Sequence, residues 1–297
     1  MSDRDFYATQ APMTELGEYA SLADSDAIQD VVARVQGLVI HPFHAQRYGL
    51  TLPEDAERQL QNRSARQMLD EASALDPRPL AEERPPEKRT WGNCRHFTTL
   101  LTALLRERGI PARSRCGFGA YFPTPGKKED HWVTELWDEA HGRWRLADAQ
   151  IDAVQREQMG ITIDTLDLGR EDFWVAGQAW KRCRSGEEKP EDFGILDMWG
   201  LWFVRDNLLR DLAALCKVEL LPWDAWGQMA TPVDDLDEAQ LAVCDEVAEL
   251  TTAPELDVGA IRKLYRENDS LRVPPTILSY RPTPAPVEIR DLANGGA

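Results

Sequence analysis

Apolar residues recur at helical spacing in three stretches of the first 110 positions. Ile28, Val31, Val32, Val35 and Leu38 predict a helix that Ser25 can cap and that ends near His41 and Pro42. A second helical stretch, Pro53 to Leu75, carries many charges and few apolar positions, so only a narrow stripe of it is expected to be buried. The linker DPRPLAEERPPEKR mixes prolines with both signs of charge and reads as an exposed loop leading into Trp91, Gly92, Asn93 and Cys94. From Cys94 to Arg108, the residues Phe97, Leu100, Leu101, Leu104 and Leu105 mark one helix face, and Gly109, Ile110 and Pro111 supply the stop.

Beyond that helix the pattern changes period. Residues 113–122 read as extended, and 131–137 and 143–149 as two strands joined by a turn at Ala140, His141 and Gly142. A helix followed by an antiparallel sheet makes the chain α+β. The second half is less periodic: residues 170–230 hold six of the ten tryptophans among charges, and Ile195–Leu215 suits a partly buried helix. The expected division is therefore a core with N-terminal helices over 1–155 and a mainly helical, Trp-rich extension over 156–297. Its tail, with prolines at 274, 275, 282, 284 and 286 and a Gly-rich tip, is expected to wrap or fray. No internal repeat is visible.

Composition narrows the function classes. With 297 residues, 42% hydrophobic and 29% charged, the chain can bury a core, and disorder is not the default. The net charge of −17 would repel phosphate backbones and anionic lipid surfaces, so neither nucleic acid nor membrane is an expected partner. Residues 1–30 lack an apolar segment behind a basic start, and no stretch approaches the roughly 18 apolar residues of a spanning helix, so a soluble, cytoplasmic protein is expected. The five cysteines, at 94, 116, 183, 216 and 244, are an odd count with no CxxC pair and read as thiols. Cys94 with His96 lacks a second spaced ligand pair, so no metal site is expected.

One cysteine stands where chemistry is favoured. The first turn of a helix stabilises a thiolate through unpaired N–H groups and the helix dipole, and Cys94 occupies that position. Gly92 and Asn93 permit a tight approach, and the Cys94 N–H can then serve as one oxyanion donor. A thiolate mechanism also needs a base held in one tautomer by a carboxylate. The segments DHWVTELW and GRWRLADAQ offer both: if Trp137 faces Trp144, then Glu135 faces Leu146 and Val133 faces Asp148, leaving His131 and Asp148 as diagonal neighbours on one side. A slip of one residue would separate them.

Taken together, GNCRHFTTLLTALLRERGIPAR, GFGAYF and DHWVTELWDEAHGRWRLADAQ resemble the transglutaminase-like superfamily, including its bacterial members, over roughly residues 90–150, with a weaker likeness around Val31. The resemblance implies a papain-like core in which a helix-starting cysteine, a strand histidine and a strand aspartate form a triad. Carried over, Cys94 is the nucleophile, His131 the general base and acid, and Asp148 the orienting carboxylate. It also implies an acyl group passing from an amide to a cysteine thioester and then to an amine or to water. Relatives often follow the aspartate with proline, whereas Ala149 and Gln150 stand here. Calcium is not implied, since no EF-hand-like loop is visible, and the thiol needs no cofactor.

The expected partners are thus a small-molecule or peptide amide and, where the acyl group passes to an amine rather than to water, an amine acceptor. A second oxyanion or substrate-binding donor is sought in HPFHAQRYG, with His41, His44, Gln46 and Tyr48, and in the indoles of Trp91 and Trp132. Singly, each triad residue has a plain alternative: a small buried thiol, a satisfied strand histidine, a turn-forming aspartate. His96, two residues past Cys94, is turned well away from it and is expected to cap or pack. The competing function is an idle member of the family acting as a binding scaffold, against which the intact Cys, His and Asp set argues.

Overall fold

In the computed structural model, which describes residues 2–25 and 27–292, the helix expected from Cys94 runs Cys94–Glu107 and is buried from Cys94 through Arg106. Gly109, at φ +69°, ends it in a conformation that favours glycine. The described residues form two compact units. One comprises the residues up to Ser114 together with Val133–Leu168; the other comprises Arg115–Trp132 together with the residues from Gly169 onward. The expected cut near residue 155 and these units divide the chain differently, because residues 115–132 go with the later part of the chain.

In the first unit the elements are α1 (Asp3–Tyr7), α2 (Ile28–Leu38), β1 (Val39–Ile40), α3 (Ala56–Gln59), α4 (Ala65–Leu75), β2 (Thr90–Trp91), α5 (Cys94–Glu107), the start of β3 (Ala112–Gly119), the end of β4 (Lys128–Asp138), β5 (Arg143–Ala147) and α6 (Ala153–Met159). Three sequence expectations change. Ser25 does not cap α2, whose N-cap is Ala27; its hydroxyl lies 3.0 Å from Asp30 Oδ2 instead. The stretch Pro53–Leu75 is two helices, because Ser64 and Gln67 form a capping box that starts α4 afresh. The 76–89 linker is only partly exposed: Arg84 is fully buried, its guanidinium donating to the carbonyls of Leu80, Asp76 and Arg78, which gathers the proline-rich chain around it. Leu100, Leu101, Leu104 and Leu105 of α5 pack with Val31, Val35, Leu69, Leu136 and Ala147. Thr102 lies 3.2 Å from both Ser114 and Thr134, so buried hydroxyls tie the helix to its strands.

The second unit adds β6 (Phe173–Val175), α7 (Ala176–Ser185), β7 (Phe193–Ile195), β8 (Met198–Trp199), α8 (Leu201–Leu215), β9 (Asp224–Ala225), α9 (Glu238–Thr252), α10 (Val258–Glu267), β10 (Thr276–Ser279) and β11 (Ala285–Glu288). Here β6 pairs antiparallel with Gly117–Gly119 of β3, and β7 pairs in parallel with Lys128 and Glu129 of β4. The helix expected over 195–215 begins only at Leu201, after a β7–β8 hairpin. The proline-rich tail forms strands: β10 pairs with β9 and β11, and Pro286 sits on the edge strand, where its missing N–H does not break an interior ladder. The Gly-rich tip lies outside the described residues. Together these elements make an α+β protein.

Asp211 of α8 anchors the second unit. Its carboxylate takes Arg115 Nε at 2.9 Å and Nη2 at 2.8 Å, and the Cys116 N–H at 2.9 Å, all buried. Asp211→Ala should lower urea stability by about 3–5 kcal/mol, because it strands a buried guanidinium. Arg115→Met with Asp211→Leu should recover most of that loss. Equal stability of Asp211→Ala and the parent would show that the pair is not desolvated.

Candidate active site

Cys94 follows a glycine against which β1 and α5 pack too closely for a side chain. β1 and β2 pair in parallel, Ile40 with Trp91, and the Gly92 N–H donates to Ile40 O at 3.0 Å. A Cβ on Gly92 would stand 2.7 Å from Val39 Cγ1 and 2.8 Å from His96 Cβ. Asn93 then serves as an extended N-cap, and His96 Nδ1 lies 2.7 Å from its Oδ1 and 3.1 Å from its N. His96 thus caps, as its position relative to Cys94 predicts. Burial, with the neighbouring Arg95 charge, holds the His96 pKa well below its usual 6.5. Cys94 is the first residue of α5, 6% exposed, where the positive end of the helix dipole acts.

Asp148 follows β5 by one residue. The β4–β5 register pairs Trp137 with Trp144 and Glu135 with Leu146, as the tryptophan pair predicts. The Asp148 N–H donates to Thr165 O at 2.7 Å, and its Oδ1 accepts the Gln150 N–H at 2.8 Å. The Gln150 side-chain amide lies 3.4 Å from His44 Nε2 and 3.4 Å from Gln155 Oε1. Gln155 Nε2 donates to Gln150 O at 3.1 Å and to the Tyr48 hydroxyl at 3.0 Å, and Tyr48 donates to Asp152 Oδ2 at 2.7 Å. Burial and the Asp152 carboxylate push the Tyr48 pKa up, so the phenol stays protonated.

His44 and Tyr48 are therefore joined to the Asp148 loop, whereas Gln46 is exposed and its side chain makes no hydrogen bond among the described residues. The Trp91 backbone N–H donates to Gln59 Oε1 at 2.9 Å, and its indole N–H makes no hydrogen bond among the described residues. The sequence reading did not find Gln150, Asp152 and Gln155. One signal was present: Asp152 and Gln155 have the spacing of an N-cap and its third helical residue, and the Asp152 side chain does accept the Gln155 N–H.

In the second unit His131 is buried, with the Phe122 ring 4.9 Å and the Tyr121 ring 6.0 Å from it, both edge-on. Asp130 accepts from Asn207 Nδ2 at 2.8 Å, and burial raises its pKa. Trp132 is buried too, and its indole N–H has no hydrogen-bond partner among the described residues. None of the five cysteines is in a disulfide. Burial pushes Cys183, Cys216 and Cys244 up to about 12, so they stay protonated at neutral pH. Among the described residues no group of three or more His, Cys, Asp or Glu could hold a metal ion, and no helix is long and apolar enough to cross a membrane.

Residues 52–149 match the family model of the transglutaminase-like superfamily. That segment belongs to the transglutaminase-like superfamily. Trp91, Cys94, His131 and Asp148 lie inside the transglutaminase-like segment, while His44 and Tyr48 precede it and Gln150 follows it. A solved structure of a candidate cysteine protease from Cytophaga hutchinsonii is similar at 16% identity and a TM-score of 0.34, over 60% of this chain and 50% of that one. The chain thus spans about half the length of that structure, and so slight a likeness supports no statement about either fold or activity. No curated protein matches the sequence.

Two measurements probe the start of α5. Gly92→Ala should cost about 1–3 kcal/mol in chemical denaturation through overpacking against Val39 and His96; no loss would mean that the turn has room. His96, neutral when buried, contributes stability that is present above pH 6.5 and is lost as pH falls toward its depressed folded pKa. The stability gap between the parent and His96→Gln should therefore narrow on acidification below pH 6.5, by at most about 1.4 kcal/mol per pH unit. Parallel pH curves would show that His96 is not held neutral.

Proposed function

We propose that the protein is a cysteine-dependent acyl-transfer enzyme acting on an amide or related acyl donor, with Cys94 as nucleophile, His131 as general base and acid, and Asp148 as the carboxylate that orients the histidine. The observation that carries this reading is Cys94 at the first position of α5, behind the Gly92 turn, inside the transglutaminase-like segment. The superfamily match supports a cysteine-dependent enzyme in general.

In this mechanism His131 takes the Cys94 proton, and the thiolate attacks the acyl carbonyl. The C–N bond breaks, and the leaving amine departs with the proton from the imidazolium. An amine or a water molecule, deprotonated by His131, then attacks the thioester, expels the thiolate and releases a new amide or an acid. The Cys94 N–H and the free Trp91 indole N–H are the candidate oxyanion donors, with His44 and Tyr48 as further candidates on the Asp148 side. The catalytic core in this reading is 1–155, and 156–297 shapes the substrate cleft.

Iodoacetamide labelling at graded pH, mapped by mass spectrometry, tests the assignment. Cys94 should label well below the unperturbed thiol pKa of about 8.5, while Cys183, Cys216 and Cys244, held up to about 12, should label slowly. His131→Ala should erase the low-pH reactivity of Cys94, and Asp148→Asn should reduce it. If Cys94 labels no faster than the other thiols, or His131→Ala changes nothing, the enzyme reading fails and an idle binding scaffold takes its place.

A further inference from the structure

The first unit holds a cavity of about 600 Å³ that none of Cys94, His131 and Asp148 lines, lined among others by Asp30, Arg34, Tyr48, Glu82, Arg89 and Asp152. Its volume is in the range of small-molecule sites. Arg89 is 8% exposed yet its guanidinium is incompletely used. Nε donates to Arg84 O at 2.9 Å, and Nη2 reaches Glu83 Oε1 at 3.3 Å, a carboxylate whose side chain is 84% exposed. Nη1 makes no hydrogen bond among the described residues. Arg34 is similar: Nη1 donates to Leu22 O at 2.6 Å, and among the described residues no carboxylate pairs with it.

The acids of the cavity differ in how far they are occupied. Asp152 is satisfied, taking the Tyr48 hydroxyl at 2.7 Å and the Gln155 N–H at 2.9 Å. The Glu82 side chain makes no hydrogen bond or close ion pair among the described residues, though its charge acts on Arg84, and Asp30 meets only the Ser25 hydroxyl at 3.0 Å. So the cavity offers two guanidiniums with open N–H groups beside two carboxylates open to a cation. A simple anion would suit the arginines but meet the acids and the −17 charge of the chain, and a simple cation would leave the guanidiniums unused. Guanidinium favours planar carboxylates, which accept two of its N–H groups at once.

We propose that this cavity binds a small zwitterion of the free amino-acid class, its carboxylate on Arg89 and Arg34 and its ammonium toward Glu82 and Asp30. The site stands apart from the Cys94 reading, since occupancy is measured without turnover.

Saturation-transfer NMR on the full chain, with free L-amino acids presented singly and with acetate and methylammonium as the two halves of the ligand, tests it. At least one amino acid should bind at least tenfold more tightly than either half. Arg34→Gln and Arg89→Gln should each weaken that binding tenfold or more, and Glu82→Gln should weaken the amino acid while leaving acetate unchanged. Glu82 is exposed and Arg34 half-buried, so their variants decide the matter even if Arg89→Gln fails to fold. The proposal is overturned if no amino acid binds at millimolar concentration, if binding survives Arg34→Gln and Glu82→Gln, or if acetate binds as tightly as the amino acid.

Discussion

The constraint on which the first unit depends is a helix buried on all sides. A surface helix shows one apolar stripe, but α5 is out of solvent from Cys94 to Arg106 although it carries two arginines, a histidine and three threonines. Burying such groups is costly unless they are hydrogen-bonded, and most of them are met inside the protein, while Thr99 Oγ1 and His96 Nε2 have no hydrogen-bond partner among the described residues. Arg95 donates to the carbonyls of Asn62 and Arg63 and touches Met13 Sδ, and Arg106 donates to Ala112 O and the Thr14 hydroxyl. Thr102 is met by Ser114 and Thr134. These demands draw the N-terminal segment, the loop before α4 and the starts of the strands onto one helix.

The same burial gives the helix start its chemical character. Asn93 ties the helix start, its N–H donating to His96 Nδ1 at 3.1 Å and its carbonyl accepting the His96 N–H at 2.8 Å, and Gly92 leaves no room for a side chain between β1 and the helix. A thiol placed there, 6% exposed, is under the influence of the helix dipole, and electrostatic effects are larger at a buried position than in water. Around Asp148 a different device acts: amide side chains, Gln150 and Gln155, connect the carboxylate loop to the His41–Tyr48 segment without introducing further charge.

Legibility in the sequence followed range. The α5 limits, the β4–β5 hairpin and its register were readable because they rest on neighbours a few residues apart: apolar spacing, a Gly stop, a pair of tryptophans across a turn. The break between α3 and α4 was also local, in the Ser64–Gln67 box, but was hidden by the continuous charge on either side. By contrast, the burial of Arg84 and the pairing of Arg115 with Asp211 could not be read. A guanidinium in a charged stretch has the same sequence signature whether it faces water or a carboxylate 96 positions away. The β9–β10 pairing, joining Ala225 to Leu278, was concealed for the same reason, and the prolines nearby argued for a frayed tail.

By itself the sequence determined the class of the chain: its α+β order, a cysteine at the head of a helix, and the histidine and aspartate blocks that follow in order. Those are properties of local spacing and residue type, which side-chain periodicity and capping chemistry translate directly into structure. Only the tertiary structure decided which polar side chains are desolvated and what satisfies them, how the chain divides at β3 and β4, and that Arg34, Arg89 and Glu82 share one cavity. The physical reason is that burial and partnership are set by chain segments far apart in sequence, whose meeting no local pattern encodes.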